Sequence, residues 1–377
     1  MLRVLRNRRT RGYVIQAAVL AASLLLTLSF VLTARDNLVS QGIATGFGFL
    51  DRSTGWPINF SIIEATDRSP YSRMLLAGFL NTILVGLAGL ACATCVGLAV
   101  GLMRVSSNLI LNVLGTVFVE TFRNVPLILQ VIFWYAILTH MPSPRAAIDL
   151  AGLGFLSNRG LMLAAPAWSA LDLAIIALSI IAALFAAHRF GGTRPLAPWG
   201  LALAGIVALS VMLLFLGHEP EMPLISQPEL RGLRFVGGVT IKPEFSALLI
   251  AIMAFGGAYI GEVVRGGFLS VDKGRLEAAR ALGLSNAQIN RFIRIPLAIR
   301  AMLPALTNQY VWLMKATTLG IAIGYPDYFM VVSTSINQSG QTMELLLLLM
   351  VGFLLINYTI SGTMNWINGR LAIKGRS

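Results

Sequence analysis

The chain has 377 residues, of which 56% are hydrophobic and 12% charged, with a mean hydropathy of +0.76 and a formal net charge of +13. Ordinary globular domains carry about a quarter charged residues, so this composition excludes a single soluble domain and points to a polytopic membrane protein. Cys92 and Cys95 form a C-x-x-C pair inside an apolar run, and His140, His188 and His218 lie far apart. That pattern gives neither an exposed redox dithiol nor a metal-ligand set, and no metal or cofactor is expected in the chain.

Arg3, Arg6, Arg8, Arg9 and Arg11 precede an apolar run from Tyr13 to Ala34. The run is longer than a signal-peptide core and suits a retained membrane span. Residues 35–73 are mixed in polarity and read as an external loop. Further spans are expected at Leu75–Met103, Leu109–Leu138, Trp168–His188, Ala197–Gly217, Glu244–Val264, Ala305–Tyr325 and Met343–Ile367, about eight in all. Residues 139–167 and 218–243, rich in Gly and Pro, read as long external loops around the fourth and fifth spans. Glycine pairs at four-residue spacing (Gly97/Gly101, Gly257/Gly261, Gly320/Gly324) suit close helix approach within the chain.

Basic residues set the orientation. With a cytoplasmic N-terminus, the cytoplasmic segments hold nearly all of the basic excess, including Arg104 and the seven Lys and Arg of 265–303, against only Asp272 and Glu277. The external segments balance acid and base. The positive charge is therefore a topology signal and not a nucleic-acid surface, and both termini are expected in the cytoplasm.

Leu276–Pro304 is the longest charged stretch between apolar runs. Asp272 to Leu282 is rich in helix formers, Gly283 stands where a left-handed residue stops a helix, and Ser285 with Gln288 makes a capping-box pattern. Pro296 is expected to end or bend the second helix. The spacing Glu277-Ala278-Ala279, three residues, Gly283, nine residues, Ile293, one residue, Ile295-Pro296 resembles the EAA loop of ABC importer permeases, with Ile295 in place of the family's Leu. In that family the loop is a cytoplasmic coupling helix that docks into the ATPase subunit. The resemblance implies coupling roles for Glu277, Ala278, Ala279, Gly283, Leu284, Ile293 and Pro296, with Ala278, Ala279 and Gly283 as the small face that enters a groove.

Two further segments resemble polar amino-acid permeases of the same class. One is VETFRNVPLILQVIFWY (Val119–Tyr135), and the other is WLMKATTLGIAIGYPDY (Trp312–Tyr328). The stretch QGIATGFGFLDRSTGWPINFSIIEAT resembles the first external loop of general L-amino-acid importer permeases. Glu120, Arg123 and Asn124 share a helical face, near a break at Pro126. Ionisable groups inside spans face a partner or a cavity, so two readings stand open. Glu120, Arg123, Asn124 and Gln130, with Lys315, Thr317 and Thr318, either line the substrate path or serve structural pairs. Glu120 and Glu262 are the candidate partners of Lys315.

The resemblance implies an all-α membrane protein with the five-helix core of a type I importer permease, and an inserted pair formed by the fourth and fifth spans. The chain divides into an N-terminal arm, span and loop (1–74), core spans (75–138), an insert with its loops (139–243), and core spans with the coupling loop (244–377). No Gly-Lys dipeptide occurs, so the chain has no Walker A loop and is not expected to be an enzyme. ATP and Mg belong to a separate ATPase. The other implied partners are a second, distinct permease, a periplasmic amino-acid-binding protein and the lipids of a bacterial inner membrane. An ion-gradient-driven secondary amino-acid transporter is the alternative, and it leaves the EAA-like spacing unexplained.

Overall fold

A computed structural model describes residues 8–40, 46–166 and 225–371 except 233, with a few isolated positions between 175 and 212. The expected fourth and fifth spans lie almost wholly outside the described residues. The described helices are α1 (Arg8–Ser40), α2 (Tyr71–Arg104), α3 (Leu109–Asn124), α4 (Leu127–Thr139), α5 (Pro243–Leu269), α6 (Lys273–Ala281), α7 (Asn286–Ile289), α8 (Ile295–Ala316), α9 (Tyr328–Ser339) and α10 (Thr342–Leu371). Among the described residues, four helices are long and apolar enough to cross a bilayer, and five if the broken pair α3–α4 counts as one span. The chain is thus mainly helical and membrane-spanning, and it falls into two compact units: residues 1–120 with 256–377, and residues 121–255.

In the first unit, glycines set the spacing of α2 against α5. A Cβ built at Gly97 would lie 2.6 Å from Ile260 Cβ, and one at Gly101 would lie 2.6 Å from Val264 Cβ and 2.8 Å from the Gly261 carbonyl oxygen. Gly257 meets Val96 in the same way from the facing helix. The two Gly-xxx-Gly pairs therefore pack on each other inside the chain, where van der Waals contact replaces the absent hydrophobic drive. The third pair is different. Gly320 is buried, but Gly324 has φ +75° with open space around its Cβ position, and it terminates a 3-10 segment, Thr317–Ile323. Its glycine serves the left-handed turn and not helix packing.

That turn is tied to α2 by buried polar contacts. Asn81 Nδ2 donates to the carbonyls of Phe60 (3.0 Å) and Pro326 (2.9 Å), Tyr325 Oη donates to Asn81 O (2.9 Å), and Thr82 Oγ1 accepts the Tyr328 N–H (2.8 Å). Around them Phe49, Tyr71, Met74, Tyr328, Val331 and Leu345 make a buried apolar cluster. These bonds hold the turn against α2, with Asn81 Oδ1 left without a hydrogen-bond partner among the described residues, and breaking one member strands the others. The expected external loop is accordingly an ordered cap from Gly46 to Pro70, closed by the Ser53–Pro70 bridge.

The expected span Ala305–Tyr325 is shifted in register. Helix α8 starts ten residues earlier, carries Pro304 inside it, and gives way at Thr317 to the tighter 3-10 segment. The second unit adds an element that its Gly and Pro content concealed. Four strands, β1 (Ile148–Asp149), β2 (Gly154–Ser157), β3 (Gly160–Leu163) and β8 (Val239–Ile241), form an antiparallel sheet in that order. Two ribbons accompany it: β4 (Ala165–Pro166) with β5 (Ile225–Ser226), and β6 (Glu229–Arg231) with β7 (Arg234–Val236). Gly237 and Gly238, at φ +82° and +61°, turn the chain from β7 in one ribbon to β8 in the sheet.

Candidate functional site

The charged stretch between α5 and α8 folds as a hairpin whose every turn is made by local chemistry. Asp272 Oδ1 accepts the Gly274 N–H at 2.9 Å and so caps α6. At the other end Gly283 has φ +78°, its N–H donates to Arg280 O (2.9 Å), and the Leu284 N–H donates to Ala279 O (3.2 Å). These two bonds are the Schellman pattern, which satisfies carbonyls that a helix end leaves bare. Ser285 then opens α7 with both bonds of a capping box: Ser285 Oγ accepts from Gln288 N, and Gln288 Oε1 accepts from Ser285 N.

Of the two outcomes expected at Pro296, an end or a bend, the structure excludes the end. Residues Asn290–Arg294 form a π-helical turn, and Pro296 falls in the first turn of α8, which continues to Ala316. A proline lacks an N–H and its ring crowds the carbonyl four residues back. The widened turn just before it gives the chain a way to continue.

The hairpin encloses an open groove of about 490 Å³ lined by Ala278, Leu282, Leu284, Phe292, Ile293 and Pro296, with Arg275 and Arg300 also on its wall. The faces differ from the expectation in one respect. Ala278 and Gly283 are exposed, but Ala279, which lines the same groove, is only 3% exposed. The apolar side chains the hairpin presents outward are Leu282, 82% exposed, and Phe292, 64% exposed. Motif spacing did not single these out. Both stand beside the groove on a charged hairpin, with the Arg291 guanidinium carbon 5.6 Å from the Phe292 ring centroid. Glu277 is exposed on the same short helix, and Leu284, Ile293 and Pro296 are half-buried.

Behind the hairpin, Glu262 on α5 is clamped by two arginines: Arg104 at the end of α2, and Arg265 one turn on, whose Nε lies 3.1 Å from Glu262 Oε2. The Arg104 side chain is 10% exposed. Glu262 is thus committed to arginine and is not the partner of Lys315, which is exposed on α8. Sequence reading missed this cluster because its members lie 158 positions apart.

The remaining polar residues have local roles. Gln130 is buried, and its Nε2 donates to Phe122 O (2.9 Å) and Val125 O (3.0 Å), bridging the break at Pro126. Thr317 and Thr318 return their hydroxyls to the carbonyls of Met314 and Lys315, each at 2.8 Å. Glu120 and Asn124 are exposed and Arg123 is half-buried on α3.

A family described as binding-protein-dependent transport system inner membrane component matches residues 93–373, a range that contains the whole hairpin. This chain belongs to that family. The inner-membrane component is 38% identical over 351 residues to the putative amino-acid ABC transporter permease protein YhdX of Escherichia coli K12, covering 90% of this chain and 88% of the relative. It is 37% identical over 353 residues to the general L-amino acid transport system permease protein AapQ of Rhizobium johnstonii, covering 90% and 87%. It is also 31% identical over 413 residues to the glutamate/glutamine/aspartate/asparagine transport system permease protein BztB of Rhodobacter capsulatus, covering 98% and 96%.

Proposed function

We propose that this chain is a permease subunit of an ATP-driven amino-acid importer, coupled to a separate ATPase through the hairpin 272–296. The hairpin carries the reading: its backbone is fixed by the Asp272, Gly283 and Ser285/Gln288 caps, while Leu282 and Phe292 stand free to be buried by another chain. Glu277, Ala278, Ala279, Gly283, Leu284, Ile293 and Pro296 form or support the docking face. The relatives, similar along nine-tenths of the chain, support amino acids as the cargo.

The mechanism is alternating access. A periplasmic binding protein delivers the amino acid to an outward-open pair made of this chain and a distinct second permease. Mg–ATP closes the two ATPases, and each hairpin passes that motion to the spans behind it. Here α6 and α7 lead into α8 through the π turn, and the Glu262 cluster ties α5 to α2, so a push on the hairpin reaches packed helices and not a slack loop. The chain itself hydrolyses nothing. Lys315, Glu120, Asn124 and Arg123 remain proposed contributors to the path, with Thr317 and Thr318, while Gln130 acts at the helix break. The arginine-rich N-terminus and the basic 265–303 segment support a bacterial inner-membrane orientation with both termini and the hairpin in the cytoplasm.

The test is uptake of labelled amino acids into proteoliposomes holding this chain with its ATPase, second permease and binding protein. The reading expects accumulation that needs both ATP and the binding protein. Uptake driven by a sodium or proton gradient without ATP would replace it with a secondary transporter.

A further inference from the structure

The hairpin leaves the long helices and rejoins them at one place, and two side chains close that neck. Helix α5 ends at Leu269, and α8 begins at Ile295, directly after the π turn Asn290–Arg294. Arg294, the last residue of that turn, sets its guanidinium carbon 5.4 Å from the centre of the Phe268 ring at the end of α5. A cation this close to an aromatic face is attracted by the ring quadrupole, and more strongly where water is excluded. Both residues are half-buried, and Arg294 Nε is buried with no hydrogen-bond partner among the described residues.

The backbone brings the two ends together. Arg294, Ala298 and Met302 follow one another at four-residue intervals and so share a helical face. A Cβ built on Gly267 would lie 3.0 Å from the Ala298 carbonyl oxygen and 3.2 Å from Met302 Cβ, so α8 passes close against the last turn of α5. Ala298 is fully buried there. Ser270 Oγ donates to Gly267 O at 2.8 Å, which finishes α5 before the hairpin begins. Further back on α5, Glu262 holds Arg104 of α2. Motion of the hairpin therefore has two ways out of the neck: into α8 along the chain, and into α5 and α2 through Phe268.

The π turn is the widened segment of the first route, where a change of hydrogen-bond spacing can absorb movement. We propose that Arg294 and Phe268 form a clasp that shuts the neck, so that the docked hairpin drives α5 together with α8. Arg294 is then a positioning residue for coupling. With the clasp open, the π turn takes up part of each ATPase stroke and the helices behind it do not follow. This proposal deepens the importer reading and rests on it.

The test is the number of amino acids imported per ATP hydrolysed, in proteoliposomes holding this chain with its ATPase, second permease and binding protein. Phe268→Leu keeps apolar bulk and removes the aromatic face, and Arg294→Gln keeps a polar stem and removes the charge. Each variant should retain the ATPase on purification and hydrolyse ATP as the wild type does. Import per ATP should fall about fivefold, the scale of one partly desolvated cation–π contact. Phe268→Tyr, which restores a ring face, should import as the wild type does. The Phe268→Leu/Arg294→Gln double variant should be no worse than either single one, as befits two halves of one contact. Because the readout is a ratio, a smaller amount of folded protein leaves it unchanged. Wild-type import per ATP in both single variants overturns the proposal, as do uptake and hydrolysis that fall in step, which mark a merely structural contact. Additive losses in the double variant overturn it too, and so does release of the ATPase, which would move the pair to the docking face. A wild-type assembly without ATP-driven uptake would sink the importer reading and this one together; failure confined to the variants sinks this one alone.

Discussion

Gly283 is the sharpest place to test the coupling hairpin, because there the cost of a side chain is almost purely one of backbone. Its φ is +78°, and a Cβ built on it meets no atom within 4 Å. An L-residue in this left-handed conformation costs roughly 1–2 kcal/mol, equivalent to about a 5–30-fold shift in the population of the turn. Asparagine tolerates the region better than alanine, and a β-branched residue tolerates it least. The turn places Leu282 and Leu284 on either side of the groove through the bonds Gly283 N–Arg280 O and Leu284 N–Ala279 O. ATP-driven uptake in proteoliposomes should therefore fall in the order Gly283→Asn, Gly283→Ala, Gly283→Val, with the valine variant lowest by 5–30-fold while the chain still inserts. Wild-type uptake by Gly283→Val would refute the reasoning. A series ordered by side-chain bulk, with asparagine as damaging as valine, would also refute it, since that pattern belongs to a steric clash in the docked complex.

Three further outcomes follow from other parts of the structure. Gly101→Val should lower the melting temperature of the purified chain through overpacking against Val264 and the Gly261 carbonyl, a cost of about 1–3 kcal/mol, and Val264→Ala should leave most of that loss in place, because the residue-264 Cβ and the Gly261 oxygen both remain. An unchanged melting temperature in Gly101→Val would mean that α2 and α5 do not meet there. Glu262→Gln leaves Arg104, nearly buried, facing Arg265 without a counter-charge; thermal unfolding should show it more destabilised than Arg265→Gln, because an uncompensated charge costs more than a lost exposed partner. Asp327 at the start of α9 is buried, and its Oδ1 accepts the Met330 N–H at 2.9 Å. Asp327→Ala should lower the melting temperature, a lost cap costing about 0.5–2 kcal/mol, while Asp327→Asn, which keeps an acceptor for that N–H, should lose much less.

The sequence revealed the hairpin well because its determinants are local. Gly283, Ser285 and Gln288 each act on backbone groups within five residues, and spacing alone exposes them. The Gly97/Gly101 and Gly257/Gly261 pairs were legible for a similar reason, since small residues one turn apart make a stripe whatever lies opposite. What opposes them was not legible. Ala279 is buried where α6 meets α7, and Leu282 and Phe292 are the hairpin's two most exposed large apolar groups. The register of α8 was misplaced because apolar residues resume after Thr317 and Thr318, where the backbone has already tightened into a 3-10 segment that hydropathy does not register. The strands of the second unit's sheet are two to four residues long, too short for an alternating pattern, and the glycines that shape their corners read as loop. Glu262 was assigned to the wrong cation because pairing across 158 positions is a property of packing.

The central claim is that the hairpin holds an ATPase, and purification of the tagged chain in mild detergent, with identification of what accompanies it, tests this most directly. The account predicts that an ATPase and a second permease co-purify with the wild type. It also predicts that Leu282→Asp with Phe292→Asp releases the ATPase and leaves the permease pair intact. An ATPase retained in full by that double variant, or a wild-type chain that purifies alone yet carries amino acids, would contradict it.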